Sequence, residues 1–274
     1  MDATHSFTRR ARSLLAPVLP VLALAAALAG LPDAARASSL QAAPVSISFD
    51  PTTQAQALQL TNAGTEPVEA QVRVQRWSQR NGADQLEPAT DIVATPAIVK
   101  IAPGQRQVVR LVRNPAVPPA HEQAYRVLVD ELPDKVEQDG DAGLQVLLRY
   151  SIPVFVATTA APAAPRRSGA TPPPLPQTDL SAVRAQLAAA PGGGTELRVR
   201  NTGPTHVRIS RLALQSGNSA PQPVVAGLVG YVLPGQQMAF PVALPAAIPA
   251  GQTLKARFND DREAQPVPLD RVGP

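Results

Sequence analysis

The sequence predicts an all-β chain of two sandwich domains behind an N-terminal export signal, on three observations. Apolar and polar residues alternate with period two through most of the chain, turn residues interrupt the alternation at short intervals, and a Pro- and Ala-rich stretch separates two such regions. A length of 274 residues accommodates two sandwiches of about 100 residues each plus a leader.

The leader is residues 1–37. Arg9, Arg10 and Arg12 form a basic start, residues 14–30 are apolar but broken by Pro17 and Pro20, and Ala35-Arg36-Ala37 supplies the small-x-small pattern of a cleavage site. The proline breaks and short apolar run argue against a membrane-spanning anchor. Removing the four Arg and two Asp of this segment from the chain's 25 basic and 21 acidic residues leaves a formal charge of +2. With no cluster of Lys and Arg interleaved with aromatics, the mature chain has no nucleic-acid signature.

Aromatics are 3% of the chain against 44% hydrophobic residues, so the cores are built from Val, Leu, Ile and Ala. There is no cysteine, which removes disulfides, thiolate metal sites and thiol nucleophiles together.

The first domain is expected at residues 38–157. Val68, Ala70, Val72 and Val74 alternate with Glu69, Gln71, Arg73 and Gln75, and Tyr125, Val127 and Val129 alternate with Arg126 and Asp130. Turns are marked by Asn62-Ala63-Gly64, Asn81-Gly82, Pro103-Gly104 and Asn114-Pro115. About seven short strands at this spacing predict an immunoglobulin-like sandwich. Residues 158–179, with Pro172-Pro173-Pro174, read as a Pro/Ala-rich linker or loop. A smaller all-β domain follows at 180–274, with strands at 197–200, 207–212, 229–233, 238–242 and 254–258 between Gly and Pro turns. Residues 180–190 carry a faint helical pattern, but their neighbours favour strand.

The chemistry-bearing residues do not converge. His121 and His206 fall in different domains, without Cys or paired carboxylates at ligand spacing, so neither a metal nor a cofactor is expected. The Gly192 to Gly194 run lacks the Lys-Ser/Thr of a phosphate cradle and reads as a turn. Adjacent Asp260 and Asp261 would face opposite ways on a strand, and Trp77 reads as a core plug. No nucleophile, acid or base set points to an enzyme.

The informative stretch is 144–156. Leu144, Val146, Leu148, Tyr150, Ile152, Val154 and Val156 share one parity, while Leu147 and Phe155 add apolar groups to the other. Periodicity alone leaves two readings open: a central strand buried on both faces, or an edge strand whose apolar row is offered to another protein. An open apolar edge is normally blunted by charge or proline, so one left open points to strand addition.

Four segments, in order, resemble the periplasmic pilus-assembly chaperones, the PapD-like family. They are the 45–50 strand leading to Thr61-Asn62; Thr95-Pro96 followed by Ile101-Ala102-Pro103-Gly104-Gln105 and Val109-Arg110-Leu111; His121 to Tyr125 ending in Glu131-Leu132-Pro133; and Leu144-Gln145, with Asn259-Asp260 near the C-terminus. The resemblance covers most of 45–156 and is looser afterward. It implies a periplasmic protein without enzymatic activity. Such a protein lends a strand to pilin-like subunits, prevents their aggregation and delivers them to an outer-membrane usher. The other reading is a secreted two-domain adhesin or structural pilus component.

On this resemblance Leu144, Val146, Leu148, Tyr150 and Ile152 form the subunit-binding donor strand. The family anchors the subunit's C-terminal carboxylate with an Arg and a Lys, but the matching positions here are Ser46 and Pro153, neither a cation. That departure is similar to the divergent branch associated with spore-coat-U-type or archaic pili, and leaves Arg149 or Arg110 as candidate carboxylate anchors. Glu122 and Asp260 stand where the family places acidic partners of an interdomain salt bridge, with Arg149 or Arg257 as alternative basic partners.

Overall fold

The computed structural model describes residues 40–114, 119–133, 146–158 and 177–270. Within them the chain is all-β and forms two sandwiches. The first contains β1 (Leu40–Ala43), β2 (Ile47–Phe49), β3 (Ala55–Asn62), β4 (Val68–Arg80), β5 (Ala83–Pro88), β6 (Ile92–Thr95), β7 (Ile98–Ile101), β8 (Arg106–Arg113), β9 (Gln123–Glu131) and β10 (Arg149–Val156). One sheet runs β1-β3-β8-β6, the other β2-β10-β9-β4-β5 with β7 also on β4. The second contains β11 (Val183–Ala189), β12 (Thr195–Asn201), β13 (Val207–Ser216), β14 (Gln222–Val232), β15 (Gln237–Val242), β16 (Gln252–Phe258) and β17 (Gln265–Pro266), in sheets β11-β12-β15 and β14-β13-β16-β17. The segment at 183–189 is strand, its neighbours outweighing the weak helical pattern.

Among the described residues the first sandwich has ten strands where spacing alone suggested about seven, the difference lying in two places. At its start the chain is divided around Pro44, β1 pairing with β3 in one sheet and β2 with β10 in the other, and after Asn81-Gly82 it runs through three short strands, β5, β6 and β7. The alternation in β4 places Val68, Ala70, Val72 and Val74 in a core shared with Leu58, Leu60, Val109, Leu111, Val127 and Val129. Residues 158–179 lie largely outside the described residues; where the chain re-enters, Asp261 receives the Thr178 backbone N–H and hydroxyl, each at 2.9 Å.

The two sandwiches share one turn device. Asn62, fully buried, donates to the carbonyls of Glu66 (2.7 Å) and Ile101 (3.0 Å) and accepts from the Gly64 N–H (2.9 Å). Asn201 does the same to Thr205 (2.8 Å), Val232 (3.1 Å) and Gly203 (2.9 Å). Each Asn backbone N–H also bonds the Gln that follows a Pro-Gly turn, Gln105 or Gln236, and the turn glycines Gly104 and Gly235 both take positive φ. Burying an amide requires partners for its polar atoms, and both clamps supply them.

The outward face of the second sheet in the first sandwich is covered at one end. Trp77, Ala124 and Phe155 pack there with Tyr231 and Leu233 of the second sandwich. Gln79, 5% exposed, donates to the Tyr231 carbonyl (2.9 Å) and accepts from the Leu233 N–H (2.8 Å). Trp77 is thus a plug between the domains and not within either core.

Candidate functional site

The site is built on β10. Along its length β10 pairs antiparallel with β9, from Arg149 opposite Asp130 to Val156 opposite Gln123. On its other side β2 joins only at Val154, Phe155 and Val156. Among the described strands none pairs with residues 149–153 on that side, so their edge is open.

Burial sets in two residues earlier, at Ile152. Ile152, Val154 and Val156 lie in the core of their own sandwich, while Pro153 and Phe155 on the opposite face are buried as well. This half is a central strand with both faces covered, one by its own core and one by the second domain. Toward the start, Tyr150 and Leu148 are half-buried, and Val146 and Leu147 are 50% and 42% exposed. The central-strand reading therefore fits the end of the stretch, and the start has an open edge. Leu144 lies outside the described residues.

The donor candidates accordingly have different surroundings. Val146 and Leu148 carry apolar groups where cover runs out. Tyr150 packs against the core and its hydroxyl donates to the Leu40 carbonyl, and Ile152 is 3% exposed within the core. The backbone at Leu148 is held by Glu131, whose N–H bonds the Leu148 carbonyl (3.0 Å) and whose carboxylate accepts the Leu148 N–H (3.2 Å).

Arg149 bonds Asp130, which also takes Arg73 at 2.6 Å. Burial alone would raise the Asp130 pKa, but the hydrogen bonds and charges of the two guanidiniums outweigh it and hold the carboxyl below its ordinary value. Any carboxylate arriving at Arg149 competes with Asp130. Arg110 is exposed on the outward face of the other sheet, opposite Ala57 and Thr95, so the fold does not bring the two arginines together. Ser46 is exposed just before β2 and Pro153 is buried opposite Arg126.

Glu122 and Asp260 also separate. Glu122 reaches the second sandwich and accepts the backbone N–H (2.7 Å) and the Nδ1 (2.9 Å) of His206. Asp260 pairs with Arg208 at 3.0 Å inside the second domain. Neither Arg149 nor Arg257 fills the interdomain role; His206 does, with its ring stacked on Phe155 at 3.4 Å and 4°. Sequence reasoning missed His206 and Arg126, whose guanidinium lies 3.8 Å over the Trp77 ring and 5.4 Å from that of Tyr231. The only available signal was the off-parity apolar Trp77 and Phe155. Among the described residues no three His, Asp or Glu side chains gather as a metal site.

Residues 39–161 match the family described as pili and flagellar-assembly chaperone, PapD N-terminal domain. No curated protein matches the chain. Several solved structures share its fold. A chain of the complex between the CsuC chaperone and the CsuE tip adhesion subunit, from the archaic chaperone-usher Csu pili of Acinetobacter baumannii, aligns with TM-score 0.60 and 22% identity over 85% of this chain and 98% of that one. The Escherichia coli chaperone DraB gives 0.55 and 20% over 85% and 98%. A chain of the Salmonella enterica SafA pilin and SafB chaperone complex gives 0.56 and 15% over 85% and 97%. At these identities the likeness establishes the two-sandwich fold.

Proposed function

We propose, from the match of the N-terminal sandwich, residues 39–161, to the pili and flagellar-assembly chaperone family's PapD N-terminal domain, that the protein holds pilin-like subunits by lending them the start of β10. The observation that carries this reading is the division of β10: from Val154 onward it is locked between β9 and β2, while residues 149–153 keep an open edge and Val146 and Leu148 lie where cover runs out.

In this mechanism a subunit lacking one strand of its own sandwich adds its edge to β10, and backbone hydrogen bonds set direction and register. Leu144, Val146 and Leu148 enter the subunit's groove, each worth about 1.5–3 kcal/mol when fully buried. Tyr150 and Ile152 remain seated against the chaperone's own core and extend the backbone ladder. No bond is made or broken; covering the subunit's groove keeps it from aggregating. An outer-membrane usher then takes the subunit by exchanging this strand for another. Residues 1–37 act as the cleaved export signal that places the protein in the periplasm, and 158–179 link the domains.

The test is co-purification of the tagged secreted protein from cells expressing the candidate pilin, beside a variant with Leu144, Val146 and Leu148 changed to Thr. Recovery of the pilin with the parent alone is expected. Recovery with neither, or equally with both, rejects the reading.

A further inference from the structure

Residues 146–149 have little core to hold them. Val146 and Leu147 are 50% and 42% exposed, Arg149 is exposed, and among the described strands none pairs with Arg149 on the open side. Two neighbouring carboxylates nevertheless fasten this start of the strand from the β9 side. Glu131 is the last residue of β9. Its N–H bonds the Leu148 carbonyl at 3.0 Å and its carboxylate reaches back to the Leu148 N–H at 3.2 Å, so both backbone groups of Leu148 are held by one residue. Asp130, one residue earlier, holds the Arg149 guanidinium. The Glu131 carboxylate thus helps to close one more rung of the β9-β10 ladder, beyond the Arg149–Asp130 pair and at the place where β9 ends. The next N–H along, of Leu132, goes to Glu69 on β4 at 2.8 Å, and Pro133 has none.

The backbone of an antiparallel strand turns its N–H and C=O groups to its two sides in alternation. Because those of Leu148 face β9, those of Leu147 and Arg149 face the open side. We propose that Glu131 is a positioning residue for strand donation: by fastening Leu148 from the β9 side it holds Leu147 and Arg149 extended, with their backbone groups set out before a guest strand arrives. The inference rests on the strand-donation reading. Glu131 acts on the guest only through Leu148, and it leaves the open edge clear. A strand start that frays in the free protein is competent for only part of the time, and apparent capture of a guest falls by that fraction. A carboxylate accepting from a backbone N–H makes a charge-assisted bond, of most consequence where burial supplies little.

The probe is the candidate pilin, diluted from urea into the tagged secreted protein, with complex recovered at successive times; release is followed after dilution of the purified complex. In Glu131→Ala, amide hydrogen exchange at Leu148 of the free protein is expected to quicken and pilin capture to slow, each about tenfold, the equivalent of one hydrogen bond to a charged group. Release from the formed complex and the urea midpoint are expected to match the parent. Glu131→Gln keeps an acceptor for the Leu148 N–H and should restore part of both rates. Glu131→Asp keeps the charge but is one methylene short, and should behave as Glu131→Ala does; it carries the comparison if the Ala variant folds poorly. Parent-like exchange at Leu148, or parent-like capture, in these two variants overturns the assignment and leaves strand donation standing, as does faster release with capture unchanged. If the variant with Leu144, Val146 and Leu148 changed to Thr captures the pilin as the parent does, both readings fall.

Discussion

Phe155 of β10 and His206 of the second domain lie face to face, 3.4 Å apart and 4° from parallel. The strand that leaves its start open is therefore clamped at its end by the neighbouring domain. Glu122, 6% exposed on its side chain, completes the clamp through both the backbone N–H and the ring of His206.

His206→Ala removes the stack and leaves the Glu122 carboxylate with the backbone N–H but without the ring donor. An aromatic pair contributes about 0.5–1.5 kcal/mol beyond its area, and a hydrogen bond to a charged group about 1.5–3. Small-angle scattering is expected to show a wider range of interdomain angles, with far-UV circular dichroism unchanged. An unaltered scattering profile would mean that Gln79, Trp77 and Tyr231 hold the domains without the imidazole.

Asn62→Ala and Asn201→Ala should behave alike. Each leaves two carbonyls and one N–H without their side-chain partner at a buried turn, and an orphaned buried group costs about 1–3 kcal/mol. A loss of at least ~2 kcal/mol in urea unfolding is expected for either variant. A loss at only one position would show that the matching geometry does not carry matching weight.

Asp130 makes stability pH-dependent in a definite direction. Its folded pKa is depressed by Arg73 and Arg149, so its contribution is present above the unfolded value near 4 and is lost as pH falls through the folded value. Asp130→Asn is expected to lower the melting temperature at pH 7 and to differ less from the parent at pH 2. A difference as large at pH 2 would place the effect in packing and not in charge.

Gly230→Ala tests the second core. A Cβ there would come within 2.2 Å of Phe240 Cε1 and 2.8 Å of its Cζ, so the ring has to leave its seat. Overpacking of this kind costs about 1–3 kcal/mol. The double variant Gly230→Ala/Phe240→Leu should recover part of the loss, and strict additivity in chemical denaturation would refute direct contact.

Period two and the punctuating Asn, Gly and Pro residues made the two sandwiches legible, because a strand with one buried face writes its burial directly into alternation. The Val68 to Val74 row is the clearest case. Alternation says nothing about which second surface covers a strand's other face. Trp77 read as a core plug for that reason, and Phe155 as an off-parity apolar group, until a domain more than 50 residues away in sequence supplied Tyr231, Leu233 and His206. The Asn62 and Asn201 turns were visible as turns, but their equivalence rests on backbone partners that residue identity does not specify. Arg126 was unreadable in sequence, since it looks like any polar residue of an alternating strand and differs only in the Trp77 and Tyr231 rings that the fold brings beside it.

The place where β2 begins to pair with β10 has a metrical consequence. Because Ile47 claims Val154, a guest strand held as proposed would be barred after Pro153, and the five residues 149–153 before that stop span about 17 Å at ordinary strand rise. On the proposed strand donation the fold would act as a ruler: it would measure how far an incoming chain can advance along β10 before it meets β2.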